Sequence, residues 1–483
     1  MGKISGGLMW KLMESFGISG IQFVLQIFLA RLLDPSHYGA LSIMVIFTSL
    51  ANVFVQNGFS TALVQNKNTQ EEDYSSVLWM QLLIALGMYA LIFVFAPLIA
   101  RAYKMDEIVL PLRVLALMLF PGAVNAVQIA KVKREMNFKK LFVSNVGSVA
   151  VSGVAGVLIA FMGGGLWALV AQSFLHVAIA CVVMNYTARI RFVFKVNLIR
   201  IKELFAFGWR LLCSGLIDTL YQDLRSLVIG YKYTSDTLGY YNRGKHFPQV
   251  IINAVNSAVI SVMLPAMSRE QDDAKKVKTL MRSSVSASAY ILFPMMAGLA
   301  AVGETLVSVL LTEKWLPCVP YMQIYCFTLA FYPVHSCNLQ AINAMGRSDI
   351  FLKLEILKKV IGIIILTLAV VLFDTPIAIA MTGVISTFTS CIINAYPNKK
   401  LIDYPYLEQI KDMLPAFAIS IMMGAAVLAM GAINLPKTVL MVLQIVIGIG
   451  IYLLLSEIVK PEAYKMLKTR MKTILKKKFQ RNA

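Results

Sequence analysis

The chain has 483 residues, of which 58% are hydrophobic and only 14% are charged, and its mean hydropathy is +0.71. This composition excludes an ordinary soluble protein, because a water-soluble core has no use for so many wholly apolar segments. The formal net charge of +20 is compatible with nucleic-acid binding or with an acidic membrane surface. The distribution of the basic residues decides between the two.

Apolar stretches of about 20 residues follow one another from residue 10 to residue 459. Because lipid offers the backbone no hydrogen-bond partner, each stretch is predicted to be a membrane-spanning helix. The predicted fold class is an all-α polytopic membrane protein with about 14 transmembrane helices. The spans are predicted at 10–32, 39–63, 76–100, 110–130, 141–162, 165–187, 204–230, 246–266, 284–311, 319–345, 352–373, 376–397, 411–433 and 438–459.

The basic residues are unevenly divided between the two sides of these spans. With both termini in the cytoplasm, 34 Lys and Arg lie in or beside inside segments and 9 lie in or beside outside segments. This is the positive-inside pattern, so we predict a multi-pass protein of the cytoplasmic (inner) membrane and no nucleic-acid partner. The tail at 460–483 alternates apolar and basic residues, which is typical of an amphipathic helix on an anionic lipid surface.

A short internal repeat divides the chain into two parts. Residues 10–15 read W-K-L-M-E-S and residues 209–214 read W-R-L-L-C-S, an offset of about 200. Repeats with the same orientation contain an even number of spans, which predicts two six-helix lobes in a pseudo-twofold arrangement around a central cleft. The predicted organisation is an N-terminal lobe at 1–200, a C-terminal lobe at 201–400, two added helices at 401–459 and the tail at 460–483.

The seventh span carries charges inside the membrane. Asp218, Gln222 and Arg225 are spaced four and three residues apart, which places them on one face of a helix. Intramembrane charges are costly and mark either pairing or function. One interpretation is an ion pair that fixes the span to a neighbouring helix. The other is an anion-binding face in which Arg225 and Arg210 contact phosphate. In that case Asp218 or Asp223 balances the charge.

Spans one, two and eight carry further polar side chains. In span one they step by threes and fours and form one stripe, and in spans two and eight they are mostly amides. Amide and hydroxyl groups bind hydroxyl-rich ligands such as sugars, although a hydrogen bond between helices is the simpler interpretation of any single amide. These candidate substrate-binding residues are Lys11, Glu14, Gln22, Gln26, Asn52, Gln56, Asn253 and Asn256.

Motifs of catalysis are missing from the sequence. There is no G-x-x-x-x-G-K-[ST] phosphate loop and no nucleophile elbow, and the six Cys and four His match no metal-ligand spacing. We therefore predict no catalytic residue, no metal site, no cofactor and no enzymatic activity.

Five motifs resemble those of the Wzx-type polysaccharide transporters, the lipid-linked oligosaccharide flippases of the multidrug/oligosaccharidyl-lipid/polysaccharide exporter superfamily. They are L-A-R-L-L-D-P-S-H-Y-G at 29–39, K-R-E-M-N-F-K-K at 133–140, L-G-Y-Y-N-R at 238–243, L-P-A-M-S-R at 264–269 and L-Q-A-I-N-A-M-G-R-S-D at 339–349.

The resemblance implies alternating access and an undecaprenyl-pyrophosphate-linked oligosaccharide as substrate, in the biosynthesis of a cell-surface polysaccharide. It also implies polysaccharide assembly proteins as possible partners besides the lipid bilayer. Members of this family often have an acidic residue where this chain has Arg225, which leaves the role of span seven open.

Three energy sources stay open from the sequence: a proton gradient, a sodium gradient or the membrane potential. Two other functions also stay open. A cation-coupled drug antiporter of the same superfamily is expected to have a cleft without paired arginines. A membrane glycan polymerase is expected to have a large outside loop, whereas the longest one here is near 231–245.

Overall fold

The computed structural model describes residues 2–56, 59–65, 70–188, 196–466 and 468–469, and for a few residues within helices it describes the backbone alone. The described residues form helices and turns and contain no β-strand. The α-helices are α1 Gly2–Leu32, α2 Pro35–Gln56, α3 Phe59–Gln65, α4 Glu71–Ala102, α5 Val109–Ala116, α6 Leu119–Arg134, α7 Phe138–Phe161, α8 Leu166–Ala188, α9 Leu198–Lys232, α10 Ser235–Arg269, α11 Ala274–Ala301, α12 Gly303–Leu310, α13 Val319–Ala330, α14 Tyr332–Ala344, α15 Ser348–Leu372, α16 Pro376–Leu401, α17 Tyr406–Ala429 and α18 Lys437–Val459, with 3-10 turns at Asp106–Ile108, Glu313–Cys318 and Met430–Ala432.

The all-α membrane fold predicted from hydropathy is confirmed. Within the described residues, ten helices or consecutive helix pairs are long and apolar enough to cross a membrane. The other four predicted spans correspond to α9, α10, the pair α13–α14, and α15. These four spans contain more polar residues than the other ten. Their mean hydropathy and charge content therefore do not meet a strict criterion for a membrane span.

Three predicted spans are divided within the described residues. The spans at 110–130 and 319–345 are broken between α5 and α6 and between α13 and α14. Proline follows each break within the first turn, as Pro121 in α6 and Pro333 in α14. Proline is tolerated there because it removes a backbone N–H that the first turn does not use. The span at 284–311 is likewise divided, between α11 and α12, and residues 57 and 58 of the span at 39–63 lie outside the described residues.

The chain separates into two compact units, Met1–Asn242 and Arg243–Ala483. In the first unit, α1 packs on α7, α7 on α8, and α9 on α2. In the second unit, α17 packs on α11, and α16 packs on α13, α14 and α15. The division into lobes at residue 200 stays a prediction, and most of the tail at 460–483 lies outside the described residues.

The order of helices in the first half recurs in the second. The fourth span of each half starts with a 3-10 turn, breaks, and ends just before a residue with positive φ, Met136 (φ 54°) in one and Gly346 (φ 71°) in the other. The next helix starts two residues later in both cases, at Phe138 and Ser348. The repeated unit is therefore visible in backbone conformation as well as in sequence.

Two glycines bring the first turns of α2 and α10 into backbone contact within the first unit. A Cβ atom added to Gly39 would lie 1.9 Å from the carbonyl oxygen of Ser235. A Cβ atom added to Gly239 would lie 2.1 Å from the carbonyl oxygen of Pro35. No residue with a side chain fits at either position, so both glycines are required by the helix crossing.

Candidate functional site

The charged face of span seven lies on α9, a helix of 35 residues that packs against α2, α3 and α4. The Asn197 side chain caps its start by accepting a hydrogen bond from the backbone N–H of Arg200 at 3.2 Å. Asp218, Asp223 and Arg225 are half-buried, and none of the three is without an interaction partner. These groups are thus held by the protein although they lie in a membrane span.

Two other candidates on α9 have a different environment. Gln222 and Arg210 are exposed, and the Arg210 guanidinium lies 5.8 Å from the centre of the neighbouring Trp209 ring. Because α9 is unbroken, Arg210 and Arg225 are separated by about 22 Å along the helix axis. The two arginines are therefore too far apart to hold the same phosphate group, and they can serve only different parts of a ligand or different steps.

The polar stripe of α1 is divided between two environments. Glu14 is 3% exposed, and its carboxylate accepts a hydrogen bond of 2.7 Å from Asn145 Nδ2 on α7. Gln22 is exposed, and Gln26 is half-buried with an interaction partner. The side chain of Lys11 lies outside the described residues. Glu14 therefore contributes a contact between α1 and α7, while Gln22 is accessible.

The amides predicted on α2 are brought together. Gln56 Nε2 donates to Asn52 Oδ1 at 2.9 Å, and both side chains face Gly122 of α6. Six residues further along α6, the fully buried Gln128 donates to Asn185 Oδ1 of α8 at 3.4 Å. Sequence reasoning missed Gln128 and Asn185 because a single amide in a span carries no signal of its partner on another helix.

The amides predicted on α10 lie along one polar face. Gln249 Nε2 donates to Asn253 Oδ1 at 2.9 Å, and the Ser257 hydroxyl donates to the Asn253 carbonyl at 2.7 Å. Asn253 is exposed. The buried Oδ1 atom of Asn256 has no hydrogen-bond donor among the described residues. Asn253 is thus accessible to a ligand with hydroxyl groups, whereas the Oδ1 atom of Asn256 is enclosed by the protein in this conformation.

A buried amide cluster in the second unit was not predicted as a site. Asn338 on α14, Asn398 on α16 and Gln409 on α17 are all 0% exposed. Asn398 Nδ2 donates to Asn338 Oδ1 at 2.8 Å, and Asn338 Nδ2 donates to Gln409 Oε1 at 2.8 Å. Full burial excludes direct contact with a substrate in this conformation, so the cluster joins helices.

Charged pairs connect the first turns of α11 and α17, at the ends that the positive-inside prediction assigns to the cytoplasm. Arg282 donates to Asp412 at 2.7 Å, and Lys278 lies 3.0 Å from Glu408. Within the described ranges, no three His, Cys, Asp or Glu side chains lie close enough together to hold a metal ion.

Comparison of the sequence with known proteins identifies a matching family model and several relatives. The family model for "Polysaccharide biosynthesis protein" matches residues 28–320. The succinoglycan biosynthesis transport protein ExoT of Rhizobium meliloti (strain 1021) is 26% identical over 344 residues, which cover 71% of this chain and 69% of ExoT. The lipopolysaccharide biosynthesis protein WzxC of Escherichia coli (strain K12) is 22% identical over 363 residues, covering 74% and 73%.

A solved structure has the same fold. The lipid II flippase MurJ in an inward closed conformation superposes with a TM-score of 0.76, covering 93% of this chain and 98% of MurJ at 15% sequence identity. At this level of identity the similarity establishes the fold and leaves the ligand to be argued from the residues.

Proposed function

Because the chain belongs to the polysaccharide biosynthesis protein family, we propose that it moves a lipid-linked oligosaccharide across the cytoplasmic membrane by alternating access. The substrate would be an undecaprenyl-pyrophosphate-linked glycan delivered to the outer face for assembly of a cell-surface polysaccharide. ExoT, its relative, is named as a transport protein. The polar face of α9 is the observation that carries the proposal, because such a face has no structural use in contact with lipid.

The chemistry of this substrate calls for two kinds of protein groups. A sugar chain on a diphosphate cannot enter hydrocarbon alone, because each buried polar group without a partner costs several kcal/mol. Arg225 would bind the diphosphate through charge-assisted hydrogen bonds. The amides on α2 and α10, chiefly Gln56 and Asn253, would replace water around the sugar hydroxyls. The prenyl chain can remain in the lipid.

The separation of the two arginines suggests an order of contacts. With the predicted topology, α9 starts on the cytoplasmic side. Arg210, near that end and exposed, would meet the diphosphate first. Arg225, about 22 Å deeper, would hold it at a later step. This order needs no movement of α9 itself.

Flipping can be measured directly in proteoliposomes. A fluorescent oligosaccharide on an undecaprenyl-diphosphate carrier is followed by its exposure to a membrane-impermeant quencher. Replacement of Arg225 by Ala removes a hydrogen bond to a charged group, worth about 1.5–3 kcal/mol. If the transition state uses that bond, flipping slows roughly tenfold to hundredfold. Imposed proton, sodium and electrical gradients on the same vesicles identify the energy source.

Arg347→Ala is the matched control. Arg347 lies in a link between spans, where it pairs with Asp349 at 2.9 Å, and its removal should leave flipping unchanged. Equal rates for wild type and Arg225→Ala would remove Arg225 from the mechanism. Absence of flipping by the wild type, together with extrusion of a cationic dye or with chain-lengthened glycan products, would favour an antiporter or a polymerase instead.

A further inference from the structure

A polar cavity of about 380 Å³ lies in the second unit, between the first half of α11 and the helical residues 462–466. Its volume falls within the range of ligand cavities, about 300–1,000 Å³. The α11 wall carries two basic and three hydroxyl side chains, and the opposite wall carries one carboxylate. These polar lining residues are Lys278, Thr279, Arg282, Ser283, Ser286 and Glu462. None of them belongs to the candidate substrate-binding residues, so the cavity is a separate site.

Hydrogen bonds between α11 and α18 fix the two walls of this cavity. The Tyr290 hydroxyl donates to Ser456 Oγ at 2.9 Å, and the Tyr452 hydroxyl donates to the Tyr290 carbonyl at 2.7 Å. Beyond α18, the ring centres of Tyr464 and Tyr290 lie 6.2 Å apart. These contacts hold the residues that follow α18 against α11, and the cavity is therefore part of the fold.

The basic side chains of the cavity have partners on α17, but Arg282 keeps a donor. Arg282 Nη2 donates to Asp412 at 2.7 Å, and Lys278 Nζ lies 3.0 Å from Glu408. The Nε atom of Arg282 is buried and has no hydrogen-bond acceptor among the described residues. A buried donor without an acceptor is costly, above all on a charged group. A phosphate oxygen is the acceptor that suits the donors of a guanidinium group.

The other lining groups define the rest of the ligand. Ser286 is 6% exposed, and its hydroxyl and that of Ser283 can donate to phosphate oxygens. Glu462, on the opposite wall, is exposed. Its carboxylate would repel a second anionic group and would accept hydrogen bonds from an ammonium group. The cavity is thus complementary to a phosphate group that has an ammonium group close by.

The cavity lies where lipid headgroups are found. The span on α11 is predicted to begin at residue 284, and α18 ends at Val459. The positive-inside prediction assigns both of these positions to the cytoplasmic face of the membrane. Basic pockets between helices on this face bind lipid headgroups. A phosphate and a primary ammonium group occur together in the headgroup of phosphatidylethanolamine.

We propose that the cavity binds the phosphoethanolamine headgroup of a lipid in the cytoplasmic leaflet. Arg282 and Ser286 bind the phosphate, and Glu462 binds the ammonium group. The bound lipid connects the start of α11 with the residues that follow α18. This inference does not depend on which molecule the protein transports, so a failure of one proposal leaves the other intact.

Lipid binding to the full chain tests the assignment. The purified protein is depleted of lipid in detergent and mixed with short-chain phosphatidylethanolamine, phosphatidylcholine or phosphatidylglycerol, and bound lipid is counted by native mass spectrometry. Wild type should bind phosphatidylethanolamine most tightly. Methylation removes the N–H donors from the ammonium group of phosphatidylcholine, and phosphatidylglycerol has no ammonium group.

A carboxylate variant tests the ammonium end of the site. Glu462→Gln should weaken the binding of phosphatidylethanolamine roughly three- to tenfold, because an exposed charge partner is lost. It should not weaken the binding of phosphatidylglycerol. Glu270→Gln is the matched control, because Glu270 is a surface carboxylate near the start of α11 that pairs with Lys276 at 2.9 Å and does not line the cavity. The control should bind all three lipids like wild type.

A hydroxyl variant tests the phosphate end. Ser286→Ala should weaken the binding of all three phospholipids, since all of them carry the phosphate. Equal affinity of wild type for phosphatidylethanolamine and phosphatidylcholine would overturn the proposal, and so would unchanged binding by Glu462→Gln. Tighter binding of phosphatidylglycerol, or displacement of the lipid by inorganic phosphate at equal concentration, would identify a simple anion site and would also overturn it.

Discussion

The side-chain amides of Asn338 and Gln409 hydrogen-bond to each other in both directions. Asn338 Nδ2 donates to Gln409 Oε1 at 2.8 Å, and Gln409 Nε2 donates to Asn338 Oδ1 at 3.1 Å. Gln409 Nε2 also donates to the carbonyl of Tyr404 at 3.2 Å. A doubly bonded, fully buried pair fixes the position of α17 on α14 more specifically than apolar packing does, because any shift leaves an amide without a partner.

Replacement of Gln409 by Leu should destabilise the second unit by about 1–3 kcal/mol, since the Asn338 amide then stays buried without this partner. The measurement is the thermal unfolding of the purified protein in detergent. Gln323→Leu is the control, because Gln323 is exposed and makes one bond of 3.2 Å to a backbone carbonyl. The double variant Asn338→Leu/Gln409→Leu should lose less stability than the sum of the losses in the two single variants. If the two stability losses add exactly, the side chains of Asn338 and Gln409 are not energetically coupled.

A second prediction concerns the buried Arg243, which is 5% exposed and lies 5.2 Å from the centre of the fully buried Trp315 ring. A desolvated cation over an indole contributes about 2 kcal/mol. Trp315→Leu should therefore lower the unfolding temperature strongly, and Arg243→Lys should lower it partly. Arg269→Lys, at the exposed end of the same helix, should leave it unchanged. If Trp315→Leu unfolds at the same temperature as wild type, the cation–π contact does not stabilise the protein.

A third prediction separates the two roles open to Glu14. Asn145→Leu removes a hydrogen bond to a buried carboxylate and should destabilise the first unit by about 1.5–3 kcal/mol. Glu14→Gln keeps an oxygen that accepts from Asn145, so its stability should stay close to that of wild type. The flipping rate of Glu14→Gln then distinguishes the two roles. A rate equal to that of wild type means that Glu14 serves only as a contact between helices. A loss of flipping means that the charge of Glu14 acts on the substrate or on coupling.

A fourth prediction concerns pH. Lys437 donates to Glu313 at 2.7 Å, and this hydrogen bond lowers the pKa of the Glu313 carboxyl from its ordinary value of 4.5. A carboxyl with a lowered pKa stabilises the fold above its ordinary pKa and loses that effect as the pH falls through the lowered value. The small difference in unfolding temperature between wild type and Lys437→Met should be constant above about pH 6 and should decrease progressively as the pH falls below 4.5 toward the lowered pKa of Glu313. A difference that grows on acidification would contradict this.

Hydropathy predicted the membrane-spanning helices and their order, because burial in lipid leaves a direct record in residue type. The family was recognised separately, from the resemblance of five motifs. The partners of Glu14 and of Asn338 could not be predicted, since they lie on other helices 60 or more residues away in the chain. The broken spans were missed because hydropathy does not change at a kink.

The amide cluster also fixes the order in which the protein can be completed. Asn338 and Asn398 are synthesised before Gln409, since the chain is made from its N-terminus. Until α17 is in place, Asn338 lacks the partner that Gln409 supplies, whereas Asn398 already has its bond to Asn338. A nascent chain that stops after α16 therefore leaves the amide of Asn338 short of one hydrogen-bond partner, and only the addition of α17 supplies it.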